Sequence, residues 1–213
     1  MSPSSSCRSH LSGVYLILDE SLTCRYTLSD VLKQAGEAGV RLVQYRNKQG
    51  NMREMYKRAS MFREQAGQLG MQFIVNDRCD LAQAVDADGV HVGQSDLPVS
   101  MVRQLMGEDC LLGVSTHRLE EVHAAIAEGA DYLGFGPIYS TNTKANLEPL
   151  VGVQGLQAVR NMTTLPIFAI GGITAETVPT LIAAGADGVA VASAILGATQ
   201  IQSALAGFMS AFA

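Results

Sequence analysis

The sequence contains no tryptophan, and aromatic residues make up only 6% of its 213 positions. We therefore expect no large aromatic platform of the kind that stacks on bases or sugars. Positive charge is also scarce, with 15 Lys and Arg against 20 Asp and Glu and a net charge of -5. Nucleic acids and anionic membranes are bound by clustered Lys and Arg, so the composition argues against both partners.

Cysteine-based sites are poorly supported as well. The four cysteines, Cys7, Cys24, Cys79 and Cys110, are far apart and form no Cys-x-x-Cys pair. This spacing argues against a zinc site and against disulfides. No apolar run approaches the roughly 20 residues of a membrane span, and the amino terminus lacks a secretory signal pattern. We therefore expect a cytoplasmic protein whose residues 1–12 form a disordered tail.

What the sequence does contain is a repeated transition from helix to strand. A helical pattern ends at Gly39, Gly70, Gly129 and Gly185, and each time an apolar run follows within a few residues. Glycine after the last helical turn supplies the left-handed residue that ends many helices. Between these transitions, apolar residues recur at helical spacing, as in Met55, Ala59, Phe62 and Ala66, and in Leu119, Val122 and Ile126. We interpret both stripes as core faces of helices.

Eight apolar runs have the length and composition of buried strands. They lie near 14–18, 40–45, 72–75, 89–92, 111–114, 131–135, 166–170 and 188–191. Strands that alternate with helices and are apolar throughout indicate a parallel sheet covered on both faces. Eight such units in about 200 residues favour an α/β fold of one domain, a (β/α)₈ TIM barrel over residues 13–213. Pro179 fits if Thr177 rather than Thr174 begins its helix, because proline is tolerated in a first turn.

Polar residues stand where these runs end, and parallel strands would bring those ends to one rim. Asp77 and Asp96 each follow a buried run, and two facing carboxylates suit Mg²⁺, which keeps oxygen sites for water and phosphates. Each could instead cap the following helix. Arg46 and Lys48 alternate after another run beside Gln44, and their charges suit diphosphate oxygens or a solvated loop.

The later runs end in groups typical of a monophosphate site. Thr141, Thr143 and Lys144 lie in the long loop 139–150, and long loops in compact domains are often binding loops. After the seventh and eighth runs come Gly171-Gly172 and Ala192-Ser193. These are the positions at which barrels commonly bind phosphate through backbone N–H groups. The role of His117, just after the fifth run, stays open between acid–base chemistry and structure.

Taken together, these residues resemble the thiamine-phosphate synthase family over about residues 14–197. The matching pieces, in order, are Val14-Tyr15-Leu16-Ile17, Gln44-x-Arg46-x-Lys48, Asn76-Asp77-Arg78, Gly89-Val90-His91-Val92-Gly93-Gln94-x-Asp96, Gly113-Val114-Ser115, Asp131-Tyr132-x-Gly134-x-Gly136-Pro137, Thr141-x-Thr143-Lys144, Ala169-Ile170-Gly171-Gly172-Ile173 and Ala192-Ser193. The chain departs from the family pattern at Asn47, where an acid is frequent, and at Asn142, where proline is frequent.

The resemblance implies an Mg²⁺-dependent transferase that joins a pyrimidine diphosphate to a thiazole phosphate. Asp77 and Asp96 would hold the metal, and Arg46, Lys48, Ser115 and Lys144 would act on the departing diphosphate. The full substrate-binding set implied by the family is Gln44, Tyr45, Arg46, Asn47, Lys48, Asn76, Ser115, Thr141, Asn142, Thr143, Lys144, Gly172, Ala192 and Ser193.

Two other functions fit the same barrel. One is the thiazole tautomerase of this family, an isomerase that shares the thiazole-phosphate site and does not need a magnesium diphosphate site. The other is a non-catalytic sensor of phosphate ligands. Retention of Asp77, Asp96, Arg46 and Lys144 favours the synthase. The oligomeric state is not set by any of these patterns.

Overall fold

A computed structural model describes residues 11–22, 25–141 and 149–212. Its eight strands are all parallel and pair in chain order to form a closed barrel, with the last strand returning to the first. They are β1 (Gly13–Asp19), β2 (Leu42–Arg46), β3 (Gln72–Asn76), β4 (Gly89–Val92), β5 (Leu111–Thr116), β6 (Tyr132–Phe135), β7 (Ile167–Ile170) and β8 (Gly188–Val191). The predicted (β/α)₈ barrel is confirmed.

Helices cover the outside of this barrel. They are α1 (Leu28–Glu37), α2 (Met52–Gln68), α3 (Cys79–Ala84), α4 (Val99–Met106), α5 (Leu119–Ala127), α6 (Gly152–Arg160), α7 (Val178–Ala183), α8 (Ser193–Leu196) and α9 (Ile201–Met209). A 3₁₀ turn over Ala175–Thr177 precedes α7, so Pro179 lies in the first turn of that helix, as the Thr177 alternative predicted. No helix in the described ranges is long and apolar enough to cross a membrane.

Local sequence explains most helix boundaries. The side chains of Thr27 and Asn51 accept hydrogen bonds from backbone N–H groups in the first turns of α1 and α2, which satisfies donors that would otherwise lack a partner. All four predicted transition glycines have positive φ, from 66° at Gly70 to 100° at Gly185. The predicted α2 stripe is buried throughout. In α5 the prediction was wrong for Leu119, which begins the helix and is 40% exposed.

Three Arg–Asp ion pairs with the same arrangement lie at the amino end of the barrel. Asp88, Asp131 and Asp187 each directly precede an even-numbered strand, and each accepts a backbone N–H from the preceding strand at 2.7 to 2.8 Å. Each also pairs with an arginine from the helix that leads into that preceding strand: Arg63 of α2, Arg103 of α4 and Arg160 of α6 respectively. The most buried pair is Arg103–Asp131, with side chains 11% and 8% exposed. These contacts join helix to strand far from the rim.

Aromatic rings fill the inside of the barrel. Tyr15, Tyr132 and Phe168 pack edge to face with centroids 5.3 to 5.8 Å apart. Leu11 belongs to the same inner cluster and is only 7% exposed, although the sequence placed it in the tail; packing of the barrel floor therefore starts two residues before β1. These rings fill the barrel interior, so we expect a ligand to bind at the carboxyl ends of the strands, where the active sites of such barrels lie.

Candidate active site

A cavity opens at the rim, which is the ring formed by the carboxyl ends of the eight strands. Every strand contributes to its wall: the lining residues are Tyr15, Ile17, Gln44, Arg46, Asn76, His91, Ser115, Gly134, Ile170 and Ala190. Four of these, Gln44, Arg46, Asn76 and Ser115, were predicted as site residues from the sequence. Their convergence follows from the parallel register, which places residues of neighbouring strands such as Asn76 and His91 side by side.

Arg46 is held in place by a carboxylate that sequence reasoning missed. Its Nη1 forms an ion pair with Oδ2 of Asp19, the last residue of β1, whose side chain is 4% exposed. The other oxygen of Asp19 accepts hydrogen bonds from the backbone N–H and the hydroxyl of Ser21, at 2.9 and 2.6 Å. The guanidinium is therefore oriented before any ligand binds, which lowers the entropy lost on binding an anion.

Lys48, Asp77 and Asp96 form a charged cluster at the rim. The Lys48 ammonium lies 3.0 Å from Oδ2 of Asp77. Burial raises the pKa of the Asp77 carboxyl; the hydrogen bond from Lys48 opposes this rise, and the nearby carboxyl of Asp96 adds to it. Asp96 is fixed by a hydrogen bond of 2.7 Å from the Gly93 backbone N–H. Two carboxylates that repel each other in this way are suited to a shared cation.

Neither aspartate caps the following helix. The cap residues of α3 and α4 are Arg78 and Pro98, and neither helix has a side-chain cap hydrogen bond. Asp77 instead adopts a left-handed backbone conformation with φ of 62°, an uncommon state for a residue other than glycine. Its N–H donates to the His91 carbonyl at 2.8 Å, which turns the chain sharply at the end of β3. The described residues contain no group of three or more His, Cys, Asp and Glu that could hold a metal.

Below the rim, five side chains form a continuous polar network through the barrel interior. Gln44 Nε2 donates to the Tyr15 hydroxyl at 2.6 Å, and that hydroxyl lies 2.8 Å from the hydroxyl of Tyr132. The Tyr132 oxygen lies 3.3 Å from Nδ1 of His91, whose Nε2 is 2.9 Å from Oγ of Ser115. Four of these residues line the cavity and Tyr132 lies behind them, so the network connects the cavity wall with the barrel core.

Two predicted site residues, Tyr45 and Asn47, have other contacts near these groups, and so does His117, whose role the sequence leaves open. Tyr45 packs on Phe62 of α2 and its hydroxyl donates to Glu20, so its side chain lies between barrel and helices; a ligand could meet only its backbone. The Asn47 side chain accepts from the N–H groups of Gln49 and Gly50 and so shapes the loop after β2. His117 has its Nδ1 2.6 Å from the Gly136 carbonyl, a structural contact.

The later half of the rim is built from tight backbone turns. Gly171 and Gly172 have φ of 98° and 63°, and a Cβ on Gly172 would lie 2.4 Å from the Ser140 carbonyl oxygen. Only glycine fits there. Ala192 and Ser193 follow β8, with Ser193 at the start of α8. Thr141 lies at the end of a described range, whereas the predicted Asn142, Thr143 and Lys144 lie outside the described residues.

A family model described as thiamine monophosphate synthase matches residues 14–195, which span all eight strands. The chain belongs to this family. The resemblance stated from the motifs is thereby confirmed. Among curated relatives, the thiamine-phosphate synthase of Chloroflexus aurantiacus is 44% identical over 191 residues, covering 90% of this chain and 88% of the relative. That of Syntrophomonas wolfei is 41% identical over 190 residues, covering 89% and 91%.

Solved structures agree with the family assignment. The thiamine phosphate pyrophosphorylase from Pyrococcus furiosus superposes with a TM-score of 0.85 at 32% identity, covering 96% of each chain. A 3-hexulose-6-phosphate synthase superposes with a TM-score of 0.69 but only 17% identity, so it shares the barrel fold alone.

For this member of the thiamine monophosphate synthase family, sequence reasoning missed Asp19, Tyr15 and Tyr132. A signal existed for Asp19, since it is a polar residue that ends an apolar run like those chosen elsewhere. The two tyrosines lie in the middle of apolar runs, where a buried hydroxyl cannot be told from ordinary core packing. The two tyrosines are 117 residues apart in the chain, and their hydroxyls meet only when the barrel closes.

Proposed function

We propose that the protein catalyses thiamine-phosphate synthesis, joining 4-amino-2-methyl-5-hydroxymethylpyrimidine diphosphate to 4-methyl-5-(2-hydroxyethyl)thiazole phosphate with release of diphosphate. Family membership gives the class, a transferase of thiamine synthesis. The observation that carries the choice within the family is the Lys48–Asp77–Asp96 cluster beside the cavity, because a diphosphate leaving group needs such charges.

Magnesium is the cofactor we propose for this cluster. Mg²⁺ is usually bound by one or two carboxylates together with water and substrate phosphates rather than by a full protein cage. Asp77 and Asp96 fit that requirement, because their carboxyls interact closely enough for each other's charge to matter and no third protein acid is needed. When bound, the ion supplies positive charge that neutralises diphosphate oxygens.

The cationic side chains would receive the charge of the departing diphosphate. Arg46 is already oriented by Asp19, and Lys48 is 54% exposed at the end of a flexible stem, so its ammonium can follow the leaving oxygens. Gln44 and Asn76 present amide groups to the same cavity, suited to the polar edge of the aminopyrimidine. Lys144, predicted to complete the diphosphate site, stays a prediction.

The thiazole phosphate would occupy the later half of the rim. Gly171 and Gly172 expose backbone at the end of β7, and Ser193 begins the short helix after β8. In (β/α)₈ barrels this is the common position for a phosphate held by backbone N–H groups. Thr141, Asn142 and Thr143 from the loop after β6, together with Ala192, complete the proposed set.

In the proposed reaction the bond between the pyrimidine methylene carbon and diphosphate oxygen breaks first, and the electron pair leaves with diphosphate. The aminopyrimidine stabilises the resulting carbocation, and the thiazole nitrogen lone pair forms the new C–N bond. The protein then contributes orientation and charge stabilisation and forms no covalent bond to substrate.

The direct test is an assay of the purified protein with both half-substrates and Mg²⁺. We expect thiamine phosphate and diphosphate in equal amounts, and neither product when the thiazole phosphate is omitted or Mg²⁺ is chelated. Conversion of one thiazole tautomer to another without diphosphate release would favour the isomerase. Tight binding of both ligands without turnover would favour the sensor. The cytoplasmic location predicted from the sequence is part of the same proposal.

A further inference from the structure

The polar network has a definite direction if its groups are neutral. Burial raises the pKa of the Tyr15 and Tyr132 hydroxyls well above the ordinary range of tyrosine, so each keeps its one hydrogen. A hydroxyl donates one hydrogen bond only. The direction of one hydrogen bond in the network therefore sets the direction of the next. All the hydrogen bonds then point the same way along the network, and two opposite directions are possible.

In the first sense the hydrogens point toward the rim. Gln44 donates to Tyr15, Tyr15 donates to Tyr132, and Tyr132 donates to Nδ1 of His91. The remaining imidazole hydrogen is then on Nε2 and is donated to Oγ of Ser115. Because the serine oxygen already accepts a hydrogen bond, its own O–H is left to point into the cavity.

In the second sense every hydrogen is reversed. The oxygen of the Gln44 amide would face Tyr15, His91 would carry its hydrogen on Nδ1, and Ser115 would donate to Nε2. The serine would then offer only lone pairs to the cavity. The amide nitrogen of Gln44 is the atom that faces Tyr15, and this contact selects the first sense. The first sense also leaves Ser115 as a donor, which an anionic oxygen needs.

We propose that Gln44, Tyr15 and Tyr132 are positioning residues that hold His91 as the Nε2–H tautomer and so present the Ser115 hydroxyl to an anionic ligand oxygen as a hydrogen-bond donor. The identity of that oxygen, on the diphosphate, rests on the proposed function; the direction of the network does not. The chemistry is that of a preorganised donor, which loses little entropy when charge develops on the ligand.

The first test reads the tautomer in the ligand-free protein. The ¹⁵N signals of the histidine rings distinguish Nε2–H from Nδ1–H, and a His91→Gln variant identifies the His91 signals. His117 serves as an internal comparison, because its Nδ1 faces the Gly136 carbonyl, an acceptor only, and so should carry the hydrogen on Nδ1. We expect opposite tautomers for the two histidines. An Nδ1–H or doubly protonated His91 would overturn the proposal.

The second test measures coupling between the network and Ser115. Inorganic diphosphate binding with Mg²⁺ is measured by calorimetry for wild type, Tyr132→Phe, Ser115→Ala and the double variant. Tyr132→Phe should weaken binding about tenfold, which corresponds to one typical net hydrogen bond, and should have less than about a twofold effect when Ser115 is already alanine. Equal weakening in both backgrounds would mean a purely structural role and would overturn the proposal.

Two further variants distinguish an effect on the hydrogen-bond direction of the network from a general effect of losing a tyrosine hydroxyl. Tyr15→Phe interrupts the network one step further from Ser115 and should act in the same way as Tyr132→Phe. Tyr56→Phe removes a hydroxyl from the exposed side of α2 and should leave binding unchanged. If wild type keeps the Nε2–H tautomer but binds no diphosphate, the proposed function fails while the network assignment stands. His91→Gln, which keeps an amide donor near Ser115, should bind more tightly than His91→Leu.

Discussion

Asp77 carries several unfavourable features at once. Its backbone is left-handed, its carboxyl is partly buried, and a second carboxyl lies beside it. Features of this kind destabilise a fold and persist where a ligand makes use of them. In this protein the ammonium of Lys48 offsets only part of the burial and repulsion, since the pKa of Asp77 stays raised. These features are those expected of the proposed Mg²⁺ ligand and not of a residue that stabilises the fold.

Asp77→Asn should accordingly stabilise the metal-free protein at neutral pH. The folded-state pKa of Asp77 lies above the unfolded value of about 3.9, so its contribution to stability decreases as pH rises through the window between them. Asparagine removes that penalty and tolerates positive φ. Urea unfolding in chelator should show the largest gain near pH 7 and a smaller gain toward pH 4.

The same variant should lose about 100-fold in turnover with Mg²⁺ present, in line with the loss of one preorganised charge partner. Asp109→Asn, an exposed aspartate in the turn after α4, is the matched control and should change neither property. An Asp77→Asn protein less stable than wild type at pH 7 would show that the Lys48 contact outweighs burial and repulsion.

At the scale of the element, strand β5 shows how a backbone makes room for a site. Gly113 lies between His91 and Tyr132, and a Cβ at this position would lie 2.1 Å from Cζ of Tyr132 and 2.4 Å from Nδ1 of His91. Its place in the strand is therefore explained by the polar network and not by the turn chemistry that explains glycines at helix ends. Two residues later the same strand presents Ser115 to the cavity.

Gly113→Ala should destabilise the protein by about 1 to 3 kcal/mol, the usual range for inserting a methyl group into a packed interior. It should also displace His91 and so alter the histidine ¹⁵N signals. Gly67→Ala is the matched control, because its nearest contact would be the flexible end of Arg63 at 3.5 Å. At this exposed position in the last turn of α2, alanine should stabilise the protein by up to about 1 kcal/mol. Equal stabilities of the two variants would contradict the packing explanation.

Considered as a whole, the molecule has three partly buried Arg–Asp pairs and its proposed site at opposite ends of the barrel. The three Arg–Asp pairs join helices to strands at the amino end, whereas Arg46, Lys48 and the two rim aspartates lie at the carboxyl end. Parallel strands allow this division because all their carboxyl ends face the same way. Changes at the two ends should therefore combine additively, since the sites share no contacts.

Asp131→Asn tests this separation. Removing one partner of a buried ion pair leaves the Arg103 charge without compensation, so we expect a loss of about 3 kcal/mol in urea unfolding. The KM for each substrate should not change at temperatures where the variant is folded. Asp80→Asn breaks the exposed pair with Arg78 and should cost less than about 1 kcal/mol. A raised KM in Asp131→Asn would indicate that the two ends are coupled.

The sequence by itself determined the barrel, its strand order and four residues of the cavity wall, because apolar periodicity and the glycines that end helices are local properties of the chain. It could place Gln44, Arg46, Asn76 and Ser115 at a common rim through strand ends alone. Only the tertiary structure decided that Tyr45 faces the helices and that Asp19 orients Arg46. The direction of the polar network likewise depends on hydroxyls from β1 and β6, which meet across the closed barrel. Contacts of that kind are set by barrel closure and register between distant segments, and no local pattern encodes them.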